Sequence, residues 1–220
     1  MSSQGALPDR LEDFGLIETL LWTREGGYFL RAGHEARLEN SARALGFAFD
    51  QTAFDEALAR ACADGAAPRL RVRLALRRDG AIEAAAAPCA PEPPGKIWRV
   101  AIARQRFDSR DALLRHKTTR REIYESALAE AQAADQTIDE VIFLNERYEI
   151  CEGARTNIFI LTGDALWTPP LSCGLLPGVL RADLLARGKA REKILGKDDL
   201  REEFLLGNSL RGLLRARLGD

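Results

Sequence analysis

The sequence contains few of the residues that build metal sites or disulfide frameworks. Its only histidines are His34 and His116, and no two of its four cysteines form a Cys-x-x-Cys pair. We therefore predict no zinc site or other metal site. Dispersed thiols, together with an acidic start that has no apolar signal-peptide segment, favour a cytoplasmic location. The cysteines are Cys62, Cys89, Cys151 and Cys173.

The chain also lacks long apolar runs and a surplus of charge of either sign. No apolar run approaches the ~20 residues of a membrane span, and 32 basic residues oppose 33 acidic ones. This balance disfavours a nucleic-acid partner, as does the absence of aromatic residues among the basic stretches. We interpret the most basic stretch, which holds Arg211, Arg215 and Arg217, as a solvated helical face. The composition predicts a soluble protein.

One segment divides the chain. The stretch PCAPEPPG, residues 88–95, has four prolines in eight residues, so neither a helix nor a strand can continue through it. The strand pattern IWRVAIAR follows. We predict a boundary near residue 105, with an N-terminal α/β domain over residues 1–105 and a C-terminal α/β domain over residues 106–220.

In the first half, hydrophobic periodicity predicts strands and helices in alternation. FGLIETLLW reads as a strand, and HEARLENSARALGF and TAFDEALARACADG read as helices, the second ending at Gly65. RLRVRLALRRDG alternates strictly, with Arg69, Arg71 and Arg73 on the face opposite the leucines. Asp79-Gly80 indicates a hairpin turn into AIEAAAA.

The second half mixes the same elements. RHKTTRREIYESALAEAQAA, residues 115–134, has helical periodicity, places Lys117 at the helix mouth and offers Thr118 or Thr119 as a cap. DEVIFLN, YEICEG and NIFIL predict three short strands. SCGLLPGVLRADLLARGKA predicts a loop that enters a helix. The fold class is therefore mixed, α/β (α+β).

Each candidate residue has an ordinary structural interpretation when it is taken alone. Lys117 at a helix mouth is typical surface charge, and Glu152 before a glycine is a typical turn carboxylate. Arg37, flanked by Glu35 and Glu39, is typical of an ion-paired surface arginine. The segment GLLPGVLR places backbone N–H groups at a helix start, which is a common phosphate seat.

Their order along the chain carries more information. LIETLLW, HEARLENSARALGF, HKTTRREIYESAL, CEGARTNIFI and LLPGVLR together resemble the class IV aminotransferase family, which are pyridoxal-phosphate enzymes. Within the family they are most similar to aminodeoxychorismate lyases. The resemblance covers about residues 14–214. It implies a two-domain class IV aminotransferase-like fold, with pyridoxal 5′-phosphate in the cleft between the domains, and a homodimer.

The resemblance implies roles for individual residues. Lys117 matches the Schiff-base lysine, which also serves as general base, and Glu152 matches the carboxylate that pairs with the pyridine nitrogen. Arg37 matches the phosphate arginine, and the amides of Val179 and Leu180 match the helix-start phosphate cradle. The other cofactor-binding positions are Asn157, Leu176, which would pack on the ring, Asn208 and Ser209.

The chain departs from the family pattern at two positions. Leu180 stands where many relatives have threonine, and Arg120 stands where lyase-like relatives have asparagine. Substrate carboxylates need cationic partners, for which we take Arg73 and Arg155 as candidates. An exposed sheet face without a ligand is the alternative interpretation of the arginine row that contains Arg73.

The resemblance implies a pyridoxal-phosphate-dependent lyase. Such an enzyme eliminates pyruvate from 4-amino-4-deoxychorismate and forms 4-aminobenzoate for folate biosynthesis. A class IV aminotransferase acting on branched-chain or D-amino acids is the alternative. A non-catalytic relative or binding protein is a second alternative, which the presence of Lys117, Glu152 and Arg37 disfavours.

Overall fold

A computed structural model describes residues 14–63 and 67–219 of the chain. Two β-sheets and four α-helices make up these residues. The acidic start and the helix end expected at Gly65 lie outside the described residues. None of the helices within the described ranges has the length and apolar character needed to cross a membrane.

The smaller sheet has four antiparallel strands and carries two helices. Its strand order is β2-β1-β3-β4. The strands are β1 (Leu16–Thr23), β2 (Gly27–Tyr28), β3 (Arg69–Leu76) and β4 (Ile82–Pro88). The helices are α1 (Arg31–Leu45) and α2 (Gln51–Cys62). These elements agree with the periodicity of the sequence.

Alternation along β3 decides which face of the small sheet is buried. The four large apolar side chains of this strand are at most 4% exposed and pack in one cluster with Phe54 and Leu58 of α2. Each side chain buried in this way contributes about 1.5–3 kcal/mol. Because successive side chains point to opposite faces, Arg71 and Arg73 lie on the exposed face. The apolar four are Leu70, Val72, Leu74 and Leu76.

The larger sheet has eight strands, in the order β10-β9-β8-β11-β12-β5-β6-β7. Its strands are β5 (Trp98–Phe107), β6 (Glu140–Asn145), β7 (Ile150–Gly153), β8 (Asn157–Thr162), β9 (Ala165–Thr168), β10 (Ala190–Glu192), β11 (Phe204–Asn208) and β12 (Gly212–Leu218). Two further helices are α3 (Glu122–Ala134), which packs on β5 and β6, and α4 (Val179–Ala186), which packs on β10 and β11.

The change from one sheet to the other lies in the proline-rich segment. The small sheet ends at Pro88, and β5 of the large sheet begins at Trp98. β5 pairs with β6 from Val100 to Phe107, so it runs through residue 105. The division into residues 1–105 and 106–220 stays a prediction, and the strand pairing favours an earlier boundary, between Pro88 and Trp98.

The predicted start of α3 is wrong. This helix begins at Glu122, its N-cap is Arg121, and no side chain caps it. Thr119 is unavailable as a cap because its hydroxyl accepts a hydrogen bond from the backbone N–H of Gly15 at 3.0 Å. The Thr118 hydroxyl accepts from the backbone N–H of Arg120 instead.

The segment that carries Lys117 is extended and attached to the small sheet. The backbone N–H of Ile17 donates to the carbonyl of Lys117 at 2.9 Å, and Leu16 forms a β-bridge with Thr118. The ring nitrogen Nδ1 of the preceding residue, His116, lies 2.9 Å from the hydroxyl of Ser41 on α1. Lys117 is therefore fixed between the two sheets rather than at the mouth of a helix.

The helical interpretation of the C-terminal arginines is also wrong. Arg215 and Arg217 lie on β12, which pairs with β11 and with β5. The segment GLLRARL alternates apolar and basic residues with a period of two, which is typical of a strand. Arg215 lies on the exposed side and pairs with Glu203 at 2.7 Å.

We predict that Phe143→Ala lowers the free energy of unfolding by about 3–5 kcal/mol. The ring of Phe143 is fully buried and stacks on Phe107 with a centroid separation of 4.5 Å. Urea denaturation of both proteins measures the change. Leu161→Ala is the control, because Leu161 is 61% exposed and its truncation should change stability by less than about 0.5 kcal/mol. Equal losses in the two variants would contradict this account of the core.

Candidate active site

A cavity of about 490 Å³ lies between the two sheets, and its volume suits a small-molecule site. Strands β1 and β3 of the small sheet form one wall, and the ends of β7, β8 and β11 form the other. The sequence-predicted residues that line it are Arg37, Arg73, Lys117, Glu152, Arg155, Asn157, Leu176, Val179, Asn208 and Ser209. The fold thus brings together residues that are up to 172 positions apart, from Arg37 to Ser209.

Leu180 is the predicted residue that does not line the cavity. Its side chain is 7% exposed and packs beside Gly207 of β11. This packing explains why an apolar side chain is accommodated at a position where a hydroxyl was expected. The role of the Leu180 backbone amide stays a prediction.

The amine of Lys117 has an unusual environment for a lysine. Burial is the main reason that its pKa falls from the ordinary value of 10.5 to about 8, and the nearby cations Arg37 and Arg121 lower it further. Glu18 and Glu152 act in the opposite direction. A lysine with such a pKa has a substantial neutral fraction near pH 7 to 8, as a nucleophilic amine requires.

Glu152, the next-to-last residue of β7, is a buried carboxylate that accepts hydrogen bonds on both oxygens. Oε1 accepts from the hydroxyl of Tyr124 at 3.0 Å, and Oε2 accepts from the backbone N–H of Leu176 at 3.1 Å. Burial raises the pKa of Glu152 to about 7, while the two hydrogen bonds and the charge of Lys117 act against the rise. A cationic group placed beside this carboxylate would stabilise its ionised form.

Arg37 is not the surface arginine that its neighbours Glu35 and Glu39 suggested. Its Nε and Nη2 donate to the two oxygens of Glu18 at 2.8 and 2.6 Å, and Glu39 pairs with Arg43 instead. Sequence reasoning missed Glu18. The signal for it is a lone carboxylate inside the apolar strand LIETLLW, because a buried charge requires a partner.

Close approaches at two glycines shape the start of α4. A Cβ on Gly178, the N-cap of this helix, would lie 1.8 Å from Oδ1 of Asn157. Asn157 in turn donates to the carbonyl of Leu176 at 3.1 Å. A Cβ on Gly33 would lie 2.8 Å from Cγ1 of Val179. These glycines let α1 and β8 approach the first turn of α4 on the cavity wall.

Asn208 organises the turn between β11 and β12. Its Nδ2 donates to the carbonyl of Arg155 at 3.0 Å, and its Oδ1 accepts from the backbone N–H groups of Leu210 and Arg211. Ser209, beside it, is 6% exposed. These contacts give Asn208 a structural role in the turn. The role of Asn208 and Ser209 toward a cofactor stays a prediction.

The two predicted substrate arginines differ in their surroundings. Arg155 donates to the carbonyl of Asp139 at 2.6 Å and lies 3.7 Å from the buried carboxylate of Glu140. Arg73 lies on the exposed face of β3, opposite Thr19. Within the described ranges, neither Arg73 nor its neighbour Arg71 on the same face forms a side-chain hydrogen bond or an ion pair. Arg73 is therefore better placed than Arg155 to receive an anion.

Sequence reasoning also missed Arg121 and Tyr124, which line the cavity. The guanidinium of Arg121 lies 4.9 Å from the centre of the Tyr124 ring and donates to the carbonyl of Ala154 at 2.6 Å. The contact with Ala154 joins residues 33 positions apart, so no local pattern reveals it. Among the described side chains, no group of three or more His, Cys, Asp or Glu residues is arranged to hold a metal ion.

Comparison with known proteins confirms the resemblance that the sequence segments indicated. The family model described as amino-transferase class IV matches residues 15–218. A Schizosaccharomyces pombe protein named "putative aminodeoxychorismate lyase" is 27% identical over 213 residues, which is 94% of this chain and 91% of that protein.

Two solved structures have the same fold. A "putative amino-acid aminotransferase" from Mesorhizobium loti is 47% identical with a TM-score of 0.89, covering 94% of this chain and 100% of that one. The 4-amino-4-deoxychorismate lyase from Pseudomonas aeruginosa is 25% identical with a TM-score of 0.74, covering 93% and 82%.

We predict that Lys117 reacts with an amine-specific reagent with a midpoint near pH 8 in protein without cofactor. The lowered pKa follows from burial and from the cations around it. Peptide mass spectrometry over a pH series measures the reaction. Arg121→Gln should move the midpoint upward because it removes one of those cations, whereas Arg104→Gln, at a side chain 87% exposed, should not. A midpoint near the ordinary value of 10.5 would contradict the prediction.

Proposed function

Since the chain belongs to the class IV aminotransferase family of pyridoxal-phosphate enzymes, we propose that it is an aminodeoxychorismate lyase. It would eliminate pyruvate from 4-amino-4-deoxychorismate and form 4-aminobenzoate. One observation carries the proposal: a lysine of lowered pKa, a buried carboxylate and an arginine meet in a single cavity. The names of the fungal and Pseudomonas relatives support the lyase reaction.

The cavity residues fit pyridoxal phosphate. Lys117 provides an amine for the cofactor's aldehyde, Glu152 provides a buried carboxylate for the ring nitrogen, and Arg37 provides a guanidinium for the phosphate. Val179, the first residue of α4, lies on the same wall, where helix N–H groups favour anions. When bound, the cofactor supplies an electron sink for the substrate carbon that carries the amino group.

The chain's own residues then move a proton and keep the charges in place. With a pKa of about 8, the Nζ of Lys117 can accept the proton from the amino-bearing carbon and return it, as a general base requires near neutral pH. Tyr124 and the N–H of Leu176 hold the Glu152 carboxylate in position. Burial, with the added effect of Arg37 and Arg121, lowers the pKa of Lys117 and so keeps a neutral fraction of its amine available.

The substrate's carboxylates fit the arginine pair of β3. Arg71 and Arg73 stand two residues apart on one strand and line the same cavity. An ordinary amino acid presents one carboxylate, whereas 4-amino-4-deoxychorismate presents two. Two cations that have no partner among the described residues therefore favour the doubly charged substrate. Arg155 is the weaker candidate because Glu140 and Asp139 already engage its guanidinium.

A class IV aminotransferase acting on branched-chain or D-amino acids is the alternative. The Mesorhizobium structure, at 47% identity, favours an amino acid as substrate. A non-catalytic binding protein fits less well, because it would not need a lysine whose pKa is lowered to about 8. We further propose a cytoplasmic homodimer that acts in folate biosynthesis, as the family resemblance implies.

We predict that the protein with pyridoxal phosphate converts 4-amino-4-deoxychorismate to equal amounts of 4-aminobenzoate and pyruvate. Lys117→Ala should lower the rate by about 10²–10⁴-fold or more, since it removes the general base. Chromatography measures both products. If the wild type instead forms keto acids from branched-chain or D-amino acids and no 4-aminobenzoate, the aminotransferase alternative is correct.

We predict that Arg73→Gln raises the KM for 4-amino-4-deoxychorismate by about tenfold, with a smaller change in kcat. The variant loses one charge-assisted hydrogen bond to a carboxylate. Arg77→Gln is the matched control, since Arg77 is 62% exposed, pairs with Asp79 and lies outside the cavity. Equal KM values in wild type and Arg73→Gln would mean that the substrate's carboxylates do not bind Arg73.

A further inference from the structure

A buried ion cluster of Glu18, His34 and Arg37 lies behind the cavity wall. Glu18 of β1 is 1% exposed, and its carboxylate accepts from Arg37 on one side and lies 2.7 Å from Nδ1 of His34. His34 is fully buried, and its Nε2 has no partner among the described residues. Since a carboxylate can only accept, Nδ1 carries the proton in this contact.

Helix and strand geometry produce this cluster. His34 and Arg37 are three residues apart on α1, so they share one helix face, and this face packs on β1. Ile17 and Thr19 line the cavity. Because side chains alternate along a strand, Glu18 points to the other side, toward α1. Among the cavity residues, Glu18 therefore makes its direct contacts with Arg37, while its charge also acts at longer range on the pKa of Lys117.

We propose that Glu18 is a positioning residue that orients the guanidinium of Arg37 toward the cofactor's phosphate. This inference rests on the proposed pyridoxal-phosphate function. Two donors of the Arg37 guanidinium, Nε and Nη2, bind the Glu18 carboxylate. Its third nitrogen, Nη1, donates to the carbonyl of Pro177 at 3.2 Å. A guanidinium has five N–H groups, so two remain, one on each terminal nitrogen.

The contact with Pro177 fixes the direction of the remaining donors. Pro177 directly precedes Gly178, the N-cap of α4. Arg37 is thus tied at its side edge to β1 and at one terminal nitrogen to the loop before α4. A two-point contact of this kind removes the rotational freedom of the guanidinium before any anion binds.

Charge alone leads to the opposite expectation. Glu18 carries a negative charge beside Arg37. Burial acts to raise the pKa of Glu18, but the positive charge of Arg37 and the hydrogen bonds from His34 and Arg37 outweigh it and hold this pKa at about 2. Removal of this negative charge would make the electrostatic potential around Arg37 more positive and would strengthen phosphate binding if orientation did not matter. The two effects differ in sign, which makes the role of Glu18 measurable.

The test compares pyridoxal phosphate with pyridoxal, which lacks the phosphate. Absorption titration gives the dissociation constant of each compound for wild type, for Glu18→Gln and for the control Glu39→Gln. The control alters an exposed carboxylate on α1, the helix that carries Arg37. We expect Glu18→Gln to weaken pyridoxal phosphate by about tenfold to a hundredfold and to leave pyridoxal unchanged. Glu39→Gln should change neither constant.

Further variants separate orientation from charge and from folding. Glu18→Asp keeps the negative charge but withdraws it from Arg37, so it should also weaken pyridoxal phosphate selectively. It replaces Glu18→Gln if thermal unfolding shows that the glutamine variant does not fold. In an Arg37→Ala background, either change should have no further effect on pyridoxal phosphate, because coupled residues are not additive.

The outcomes distinguish a failure of the proposed cofactor function from a failure of the positioning role of Glu18. If wild type binds both compounds with the same affinity or binds neither, the proposed cofactor function fails. If wild type prefers pyridoxal phosphate but the Glu18 variants retain that preference or increase it, the cofactor function stands and the positioning role of Glu18 is refuted. Equal weakening of both compounds also refutes it, because this would indicate a general structural effect.

Discussion

The hydrogen bond from the N–H of Ile17 to the carbonyl of Lys117 joins the two halves of the site. β2 covers β1 only at Trp22 and Thr23, so the other end of this edge is open to a second partner. The extended segment around Lys117 occupies it, and this satisfies backbone groups that a sheet edge would leave unpaired. The lysine is therefore held by the small sheet, while Glu152 and the start of α4 belong to the large one.

The same strand organises the charges of the cavity. One face of β1 lines the cavity and the other carries Glu18, so β1 separates the cavity from a buried ion cluster. Arg37 connects the two sides and also lowers the pKa of Lys117. Burial is the main cause of the lowered pKa of Lys117, and Arg37 adds to it, so one guanidinium both offers a cation to an anion and favours the neutral lysine. Because burial disfavours the charged form of each group, it lowers the pKa of Lys117 and raises the pKa of Glu152.

Local patterns in the sequence predicted the elements well, and long-range contacts were harder to predict. The leucine–arginine alternation of β3 and the helical spacing of α1 are visible in the sequence, because burial on one face imposes a period. The order of five segments predicted that Lys117, Glu152 and Arg37 share one site. Thr119 could not be recognised as a partner of Gly15, 104 residues away, and neither could the pairing of Glu18 with Arg37 across two elements. The arginines of β12 were misread because their alternation is short.

The most direct test of the account is to identify the amine that binds the cofactor. The protein is incubated with pyridoxal phosphate, reduced with borohydride, digested and analysed by peptide mass spectrometry. We expect a single pyridoxyl label on the peptide that contains Lys117, and its loss in Lys117→Arg. A label on another lysine such as Lys189 or Lys193, or no label at all, would contradict the claim that this cavity holds the cofactor.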